Sequence, residues 1–415
     1  MTRRPAAKLG ADGCWHAWVT VGRKPNGRPD QRHVKRASRE AVEQRVDELI
    51  DQRRAGAVQR AGRPPTVRGW LLDVYLTTIA PRKIDPTTVQ GYRNKIVNHV
   101  VPVIGEMRMD RVTADNIDAV YLGMERRGLA DATVLQVHRI LARAWKVAAR
   151  RRVVPRDIMR DDVDPPTARR VEMDPLTEDD ARAVLTAAEG RRNAARWSVG
   201  LALGLRQGEA LGLRWSYVDL DVGEVRVWWQ LHRRGFEHGC GPDLGSKCGR
   251  RRGGNCPSRY LPTRSGEIVL DGGLLLKAPK GKSKRTIPMP SELVERLAAH
   301  REVQRLERQF AGGVVVDHDL VFTELDGRPI DPSTDWEEWR AVLAAAGVPA
   351  HRVHDARHTA GTLMLAQGVD IRVVQELMGH SKITTTQGYV HVADAMAREA
   401  TQRMGASLLR RRETR

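Results

Sequence analysis

Hydrophobic periodicity changes along this chain, and the changes exclude a single uniform fold. Trp15, Ala17, Val19 and Val21 fall at every second position, as in a strand with one covered face. Gly22 to Gly27 reads as a turn, with Val34 on a partner strand. From Ser38, a candidate N-cap, Val42, Val46, Leu49 and Ile50 recur at helical spacing. Helical spacing then continues. Val67, Trp70, Leu71, Val74 and Tyr75 form one stripe. Asp85-Pro86 opens a helix bearing Val89, Tyr92, Ile96 and Val100. Thr113 caps a third with Ile117, Val120, Tyr121 and Met124, stopped near Gly128, and a fourth carries Val134, Val137, Leu141 and Trp145. These aromatics at helical spacing are core residues, and the four helices predict a bundle over 64–150. Residues 151–173, rich in Arg and Asp and including Pro165-Pro166, sustain no period and read as a linker. Thr177 then caps a helix with an acidic first turn, which opens a large C-terminal domain over 174–415.

A length of 415 residues agrees with two to four domains. The 70 Lys and Arg against 51 Asp and Glu leave a charge of +19, a long-range attraction for a polyanion. Nucleic acid is the expected partner. An anionic membrane surface is the competing one, but no stretch reaches the roughly 18 apolar residues of a spanning helix. The basic start, Met1 to Lys8, leads into no apolar signal core. Four Cys make no disulfide framework, so a reducing cytosol is expected. Positions 1–60 hold 14 basic and 7 acidic residues, a balance of +7 on a small sheet-plus-helix unit. That unit reads either as a DNA-binding arm or as a solvated basic face. On the bundle, Arg93, Lys95, Arg139, Arg143 and Lys146 lie where a DNA backbone could reach them.

Three polar landmarks mark the C-terminal domain. Arg206 stands in an apolar segment expected to be helical, and Glu209 three residues on can hold its guanidinium. Taken alone, the two also fit a structural ion pair. Lys280 lies in a basic run, Lys280 to Arg285, read as a tight hairpin between Leu274–Leu276 and Ile287, or as a solvated turn. His354 and Arg357 share a helix face, His380 follows a Gly that ends a helix, and Tyr389 comes nine residues later. Together they read as a phosphate clamp with a phenol aimed into it.

In this order, Arg206 with Glu209, Lys280, His354-x-x-Arg357, Leu377-x-Gly-His380 and Tyr389, the chain resembles the tyrosine recombinases of the phage integrase family. The catalytic resemblance covers about Asp174 to Arg403. The resemblance implies an α+β multidomain fold, with an arm-type DNA-binding domain (1–60), an all-α core-binding bundle (64–150), the linker 151–173 and a mainly α catalytic domain (174–415) with a small antiparallel sheet. It implies that Arg206 and Arg357 brace a DNA phosphate, that Tyr389 attacks phosphorus to form a 3′-phosphotyrosyl link, and that a 5′ hydroxyl leaves. Lys280 is then the expected general acid, His354 and His380 position the phosphate or assist proton movement, and Glu209 orients the first Arg. The bond energy is kept in the link, so neither ATP nor a catalytic metal is needed. Double-stranded attachment sites, a homotetramer on DNA and an accessory directionality or bending factor are the implied partners. The setting is integration of a phage or mobile element in the bacterial cytosol, at the nucleoid. Two other functions use parts of the same pattern: a type I topoisomerase-like nicking and resealing enzyme, and a non-catalytic architectural DNA-binding protein. The first lacks a need for the separate arm, and the second leaves Tyr389 and both arginines unexplained.

An insertion at 233–264 departs from shorter family members. It gathers His238, Cys240, Cys248 and Cys256, and its 8 basic and 2 acidic residues give +6. A structural Cys3His zinc site fits these ligand types, although the spacing has no Cys-x-x-Cys knuckle. Free thiols in a basic DNA-contacting loop are the alternative.

Overall fold

The structure is a computed structural model describing residues 5–23, 28–54, 64–169, 175–241, 248–250, 252–279, 283–311 and 315–379. The chain divides into two units, Met1–Val171 and Glu172–Arg415.

The first unit begins with an antiparallel sheet of β1 (Lys8–Leu9), β2 (Trp15–Arg23) and β3 (Pro29–Arg36) in that order. Ala17 pairs with Val34, so the alternating apolar residues share one face. That face is covered by α1 (Arg39–Arg54) through Val42, Val46 and Leu49. Ser38 caps the helix as expected, its Oγ accepting from the Ala41 N–H at 3.2 Å. On the other face Trp18 is exposed and stacks on His33.

A helical segment, Gly69–Ile79, follows. Then come α2 (Pro86–Lys95), a further turn over Ile96–Val100, α3 (Val101–Ile104), α4 (Ala114–Glu125) and α5 (Asp131–Arg150). Local chemistry sets the starts: Asp85 accepts from the Thr87 N–H at 3.0 Å ahead of Pro86, and Thr113 and Asn116 form a capping box. The expected stripes meet in one core around Trp70, Leu71, Ile96, Ile117, Met124, Leu141 and Trp145. Two polar groups inside it are satisfied, Trp70 Nε1 by the Ala144 carbonyl at 3.2 Å and Tyr121 by His138 at 2.9 Å.

The expected linker 151–173 requires correction over 151–163. Val153, Val154, Ile158, Met159 and Val163 are buried in the bundle core, Ile158 and Met159 on the single-turn helix α6 (Ile158–Asp161). A left-handed residue, Arg152 (φ 60°), and a one-turn helix scatter these apolar residues over no constant period, so they carry no signal of regular structure.

The second unit holds α7 (Glu178–Ala188), α8 (Ala195–Leu203), α9 (Gln207–Leu211), α10 (Ser291–Phe310), α11 (Pro332–Ala345), α12 (Val353–Ala366) and α13 (Ile371–Met378). Its strands are β4 (Val218–Asp219), β5 (Glu224–Val227), β6 (Gln230–Arg233), β7 (Glu237–His238), β8 (Arg259–Tyr260), β9 (Ile268–Val269), β10 (Leu274–Lys277) and β11 (Arg285–Pro288). They form small antiparallel sheets ordered β11-β5-β4, β6-β10-β9 and β7-β8, where the sequence suggested one. The strands flanking Lys280 therefore do not pair with each other as a simple hairpin: β10 pairs with β6 and β9, and β11 with β5.

Helix α8 organises this unit. Val199 and Leu203 enter a core with Val225, Leu276, Ile287 and Phe322, while Trp197 and Leu201 enter a second with Val184, Trp339 and Val342. Burial on two sides also takes Arg196 out of water, where Asp335 on α11 meets it with two hydrogen bonds of 3.0 Å. Among the described residues, no helix is long and apolar enough to cross a membrane.

Candidate active site

The first correction at the site concerns Arg206. It is not within a helix: α8 ends at Gly204, which is left-handed (φ 62°), and Arg206 is extended (φ −65°, ψ 151°) as the residue before α9. Gly204 is required twice over, by its φ and because a Cβ there would lie 3.3 Å from Ala360 Cβ on α12. The break turns the Arg206 guanidinium back across the start of α9. Glu209 then serves both ends, accepting from the Arg206 N–H at 3.0 Å and from its Nη1 at 2.6 Å.

Glu209 is the centre of the site. Its side chain is fully buried and also receives Arg285, with Nη2 at 2.9 Å and Nη1 at 3.3 Å, while Arg357 Nη1 stands 3.9 Å away. Burial alone would raise this carboxyl, but hydrogen bonding and charge from Arg285, then the charge of Arg206, bring it down to about 2. One carboxylate thus faces three guanidinium groups. Among the described residues, the cluster carries more positive than negative charge, as an anion-binding position requires.

The expected His354 and Arg357 are placed by α12. Arg357 is buried; its Nη1 donates to the Gly204 carbonyl at 2.6 Å and its Nη2 to that of Met378. Arg206 Nη2 donates to the next carbonyl, Gly379, at 3.0 Å. Gly379, left-handed at φ 61°, ends α13 as expected from the sequence. The two arginines therefore meet one carboxylate at one side and adjacent carbonyls at the other. They differ in access: the Arg206 side chain is 34% exposed and that of Arg357 1%. His354 lies edge-on to His358, with ring centroids 4.7 Å apart. Crowding by protein atoms, then the positive fields of His358, Arg357 and Arg206, push His354 down to about 4. Lys280, His380 and Tyr389 lie outside the described residues.

Arg285 is the member that sequence reasoning missed, taken there as part of a basic turn. It donates from Nε to the Leu377 carbonyl at 2.5 Å and from Nη1 to the Ser283 carbonyl at 3.1 Å, tying β11 to α13 and to Glu209. A signal was available: Arg285 shares the strand face of Ile287, and a cation at an inward strand position requires a buried acid. Gln207 was also passed over. Its Nε2 donates to Asp335 at 2.9 Å and to the Pro332 carbonyl at 2.9 Å, coupling the arginine turn to the buried Arg196–Asp335 pair. In the insertion, His238, Cys240, Cys248 and Cys256 come together, with their ligand atoms all within 4.8 Å of one another.

Within this helical unit, three guanidinium groups around one carboxylate make a position suited to an anion. Residues 263–396 match the phage integrase family. An integrase of Saccharopolyspora erythraea is 36% identical, with 97% of each chain covered. A XerC-like tyrosine recombinase of Caldanaerobacter subterraneus is 25% identical over 90% of this chain and 91% of its own. Among solved structures, the Tn1549 transposon integrase with a circular intermediate DNA matches 81% of this chain and 99% of its own, at a TM-score of 0.61 and 18% identity. A lambda integrase dimer bound to a core site matches 94% and 96%, at 0.54 and 15%. The chain belongs to the phage integrase family. It is a site-specific tyrosine recombinase, which cleaves and rejoins DNA.

Proposed function

We propose that this recombinase is an integrase acting on double-stranded attachment sites, with Tyr389 as nucleophile and Arg206 and Arg357 as the phosphate brace. The observation that carries this reading is the pairing of those two guanidinium groups over the buried Glu209 carboxylate. The carbonyls of Met378 and Gly379 accept from the two arginines and stand in for the oxygens of a phosphate. Arg206, the more accessible of the two, would meet the phosphate first, and Arg285 would hold Glu209 so that the excess charge stays fixed before reaction.

The chemistry then follows. The Tyr389 Oη attacks phosphorus, the bond to the 5′ oxygen breaks, and Lys280 supplies the proton that makes it a hydroxyl. The new 3′-phosphotyrosyl link keeps the phosphoester energy, and attack by a second 5′ hydroxyl rejoins the strand. His354, uncharged before DNA binds, can donate to the phosphate or accept the phenol proton, with His380 as its counterpart. Residues 1–60 would bind arm sites and the bundle core sites, the latter along the exposed Arg139, Arg143 and Lys146 of α5. A tetramer on paired duplexes, and a directionality or bending factor, complete the assembly. In this setting the protein works in a bacterial cytosol, on an integrating element. A suicide substrate nicked beside the cleavage point tests the reading: wild type should form a covalent protein–DNA adduct and Tyr389→Phe none. An adduct with the Phe variant would refute it.

A further inference from the structure

We infer that the insertion between β6 and β9 is a zinc module, closed by His238 Nδ1 and the sulfurs of Cys240, Cys248 and Cys256. The His238 Nδ1 atom lies 3.7 Å from Cys240 Sγ and 3.4 Å from Cys248 Sγ, within a set of four ligand atoms spanning at most 4.8 Å. Tetrahedral zinc with Zn–S near 2.3 Å and Zn–N near 2.0–2.1 Å requires N···S edges of about 3.6 Å and S···S edges of about 3.8 Å. The two N···S distances match a tetrahedral zinc shell, and the whole set comes within about 1 Å of its longest edge. Two sulfurs in a disulfide would leave the third sulfur and the inward-facing nitrogen without a purpose, and all three cysteines are free thiols.

The surroundings point the same way. Cys256 is the only buried apolar side chain among the described residues of 233–264, so this segment has no hydrophobic core of its own. What holds it is polar: Arg234 is clamped by Glu267 and donates to the Pro262 carbonyl at 2.7 Å, and Gly239 N–H donates to the Ser258 carbonyl at 2.9 Å. A side chain at Gly239 would collide with that carbonyl, so the His238–Cys240 turn is pressed against the chain that delivers Cys256. Segments this short and this polar take their folding free energy from the metal. Three thiolates around Zn²⁺ carry one net negative charge, which suits the insert's excess of +6. With the cage closed, exposed Arg250, Arg252 and Arg259 are held on one small scaffold, where they can meet a nucleic-acid backbone. The ligand set is complete without an open position, so the zinc is structural and takes no part in strand transfer.

The test is metal analysis of the full-length protein, purified without chelator. About one zinc per chain is expected, falling at least tenfold in Cys248→Ser and Cys256→Ser and unchanged in Cys14→Ser, whose thiol lies in the N-terminal sheet unit. Cobalt substitution of wild type gives a second readout that does not depend on any variant folding: intense visible bands of tetrahedral Co²⁺, with sulfur-to-cobalt charge transfer in the near ultraviolet. A wild type that binds neither metal stoichiometrically, or zinc retained in full by Cys256→Ser, would overturn the inference.

Discussion

Replacing Glu209 by Gln keeps the shape of the side chain and removes a negative charge that faces Arg206, Arg285 and Arg357. The native carboxylate accepts at 2.6 Å from Arg206, 3.0 Å from its backbone N–H and 2.9 Å from Arg285. An amide can satisfy only part of that set, because its own N–H group would be aimed at a guanidinium. Holding a carboxyl at about 2 in place of an ordinary 4.5 contributes about 3 kcal/mol to the folded state at neutral pH. For a unit the size of Glu172–Arg415, each 1 kcal/mol moves the melting temperature by about 2–4 °C. The transition of that unit should therefore fall by about 6–12 °C in scanning calorimetry of the full chain at pH 7, with the other unit's transition unmoved. The pH dependence has a definite sign. A depressed carboxyl contributes fully above its unfolded value and loses the contribution as pH falls towards 2, so wild type and variant should converge below pH 4.5. A shift under about 2 °C at pH 7, or a gap that widens on acidification, would refute the hub role of Glu209.

Two further outcomes follow from the packing and the field. His354 in the DNA-free protein should titrate well below pH 6.5, near 4, when its imidazole is followed by NMR; because its folded value lies below the unfolded one, it disfavours the fold progressively as pH falls from 6.5 to 4. A midpoint at or above 6.5 would contradict the cationic surroundings described. Trp145→Ala, at a fully buried position of the bundle, should cost about 3–5 kcal/mol and lower only the first unit's calorimetric transition; a loss under about 1 kcal/mol would mean that α5 is not the centre of that core.

The helices were legible where one mechanism dominated. Thr113 with Asn116, Asp85 ahead of Pro86 and Thr177 with Asp180 are local devices that need only a few neighbouring residues, and the stripes of Ile117 to Met124 and Val134 to Trp145 repeat over several turns. Legibility failed where geometry breaks period. The Val153–Val163 stretch folds against the bundle through a left-handed Arg152 and a one-turn helix, so its burial leaves no repeat to read. Arg206 looked helical because Leu201, Leu203, Leu205 and Leu211 surround it; the left-handed Gly204 that ends α8 before it was not weighed, and the packing of Ala360 against that glycine comes from more than a hundred residues away. Lys280 was read in a two-stranded hairpin because pairing partners are not encoded in spacing, and β10 and β11 each take a partner from before the insertion. Arg206, Glu209, His354 and Arg357 were all singled out from sequence by their chemistry. Arg285 was hidden by its basic neighbours, since a run of charge looks solvated until one member is seen to face inward.

The account turns on Tyr389 carrying the DNA. Wild-type protein trapped on a nicked suicide substrate, digested with nuclease and trypsin and analysed by mass spectrometry, should yield a nucleotide-modified peptide spanning 383–398, with fragmentation placing the modification on Tyr389. A covalent adduct mapped to any other residue, or a wild type that cuts the strand and leaves no protein attached to it, would contradict the account.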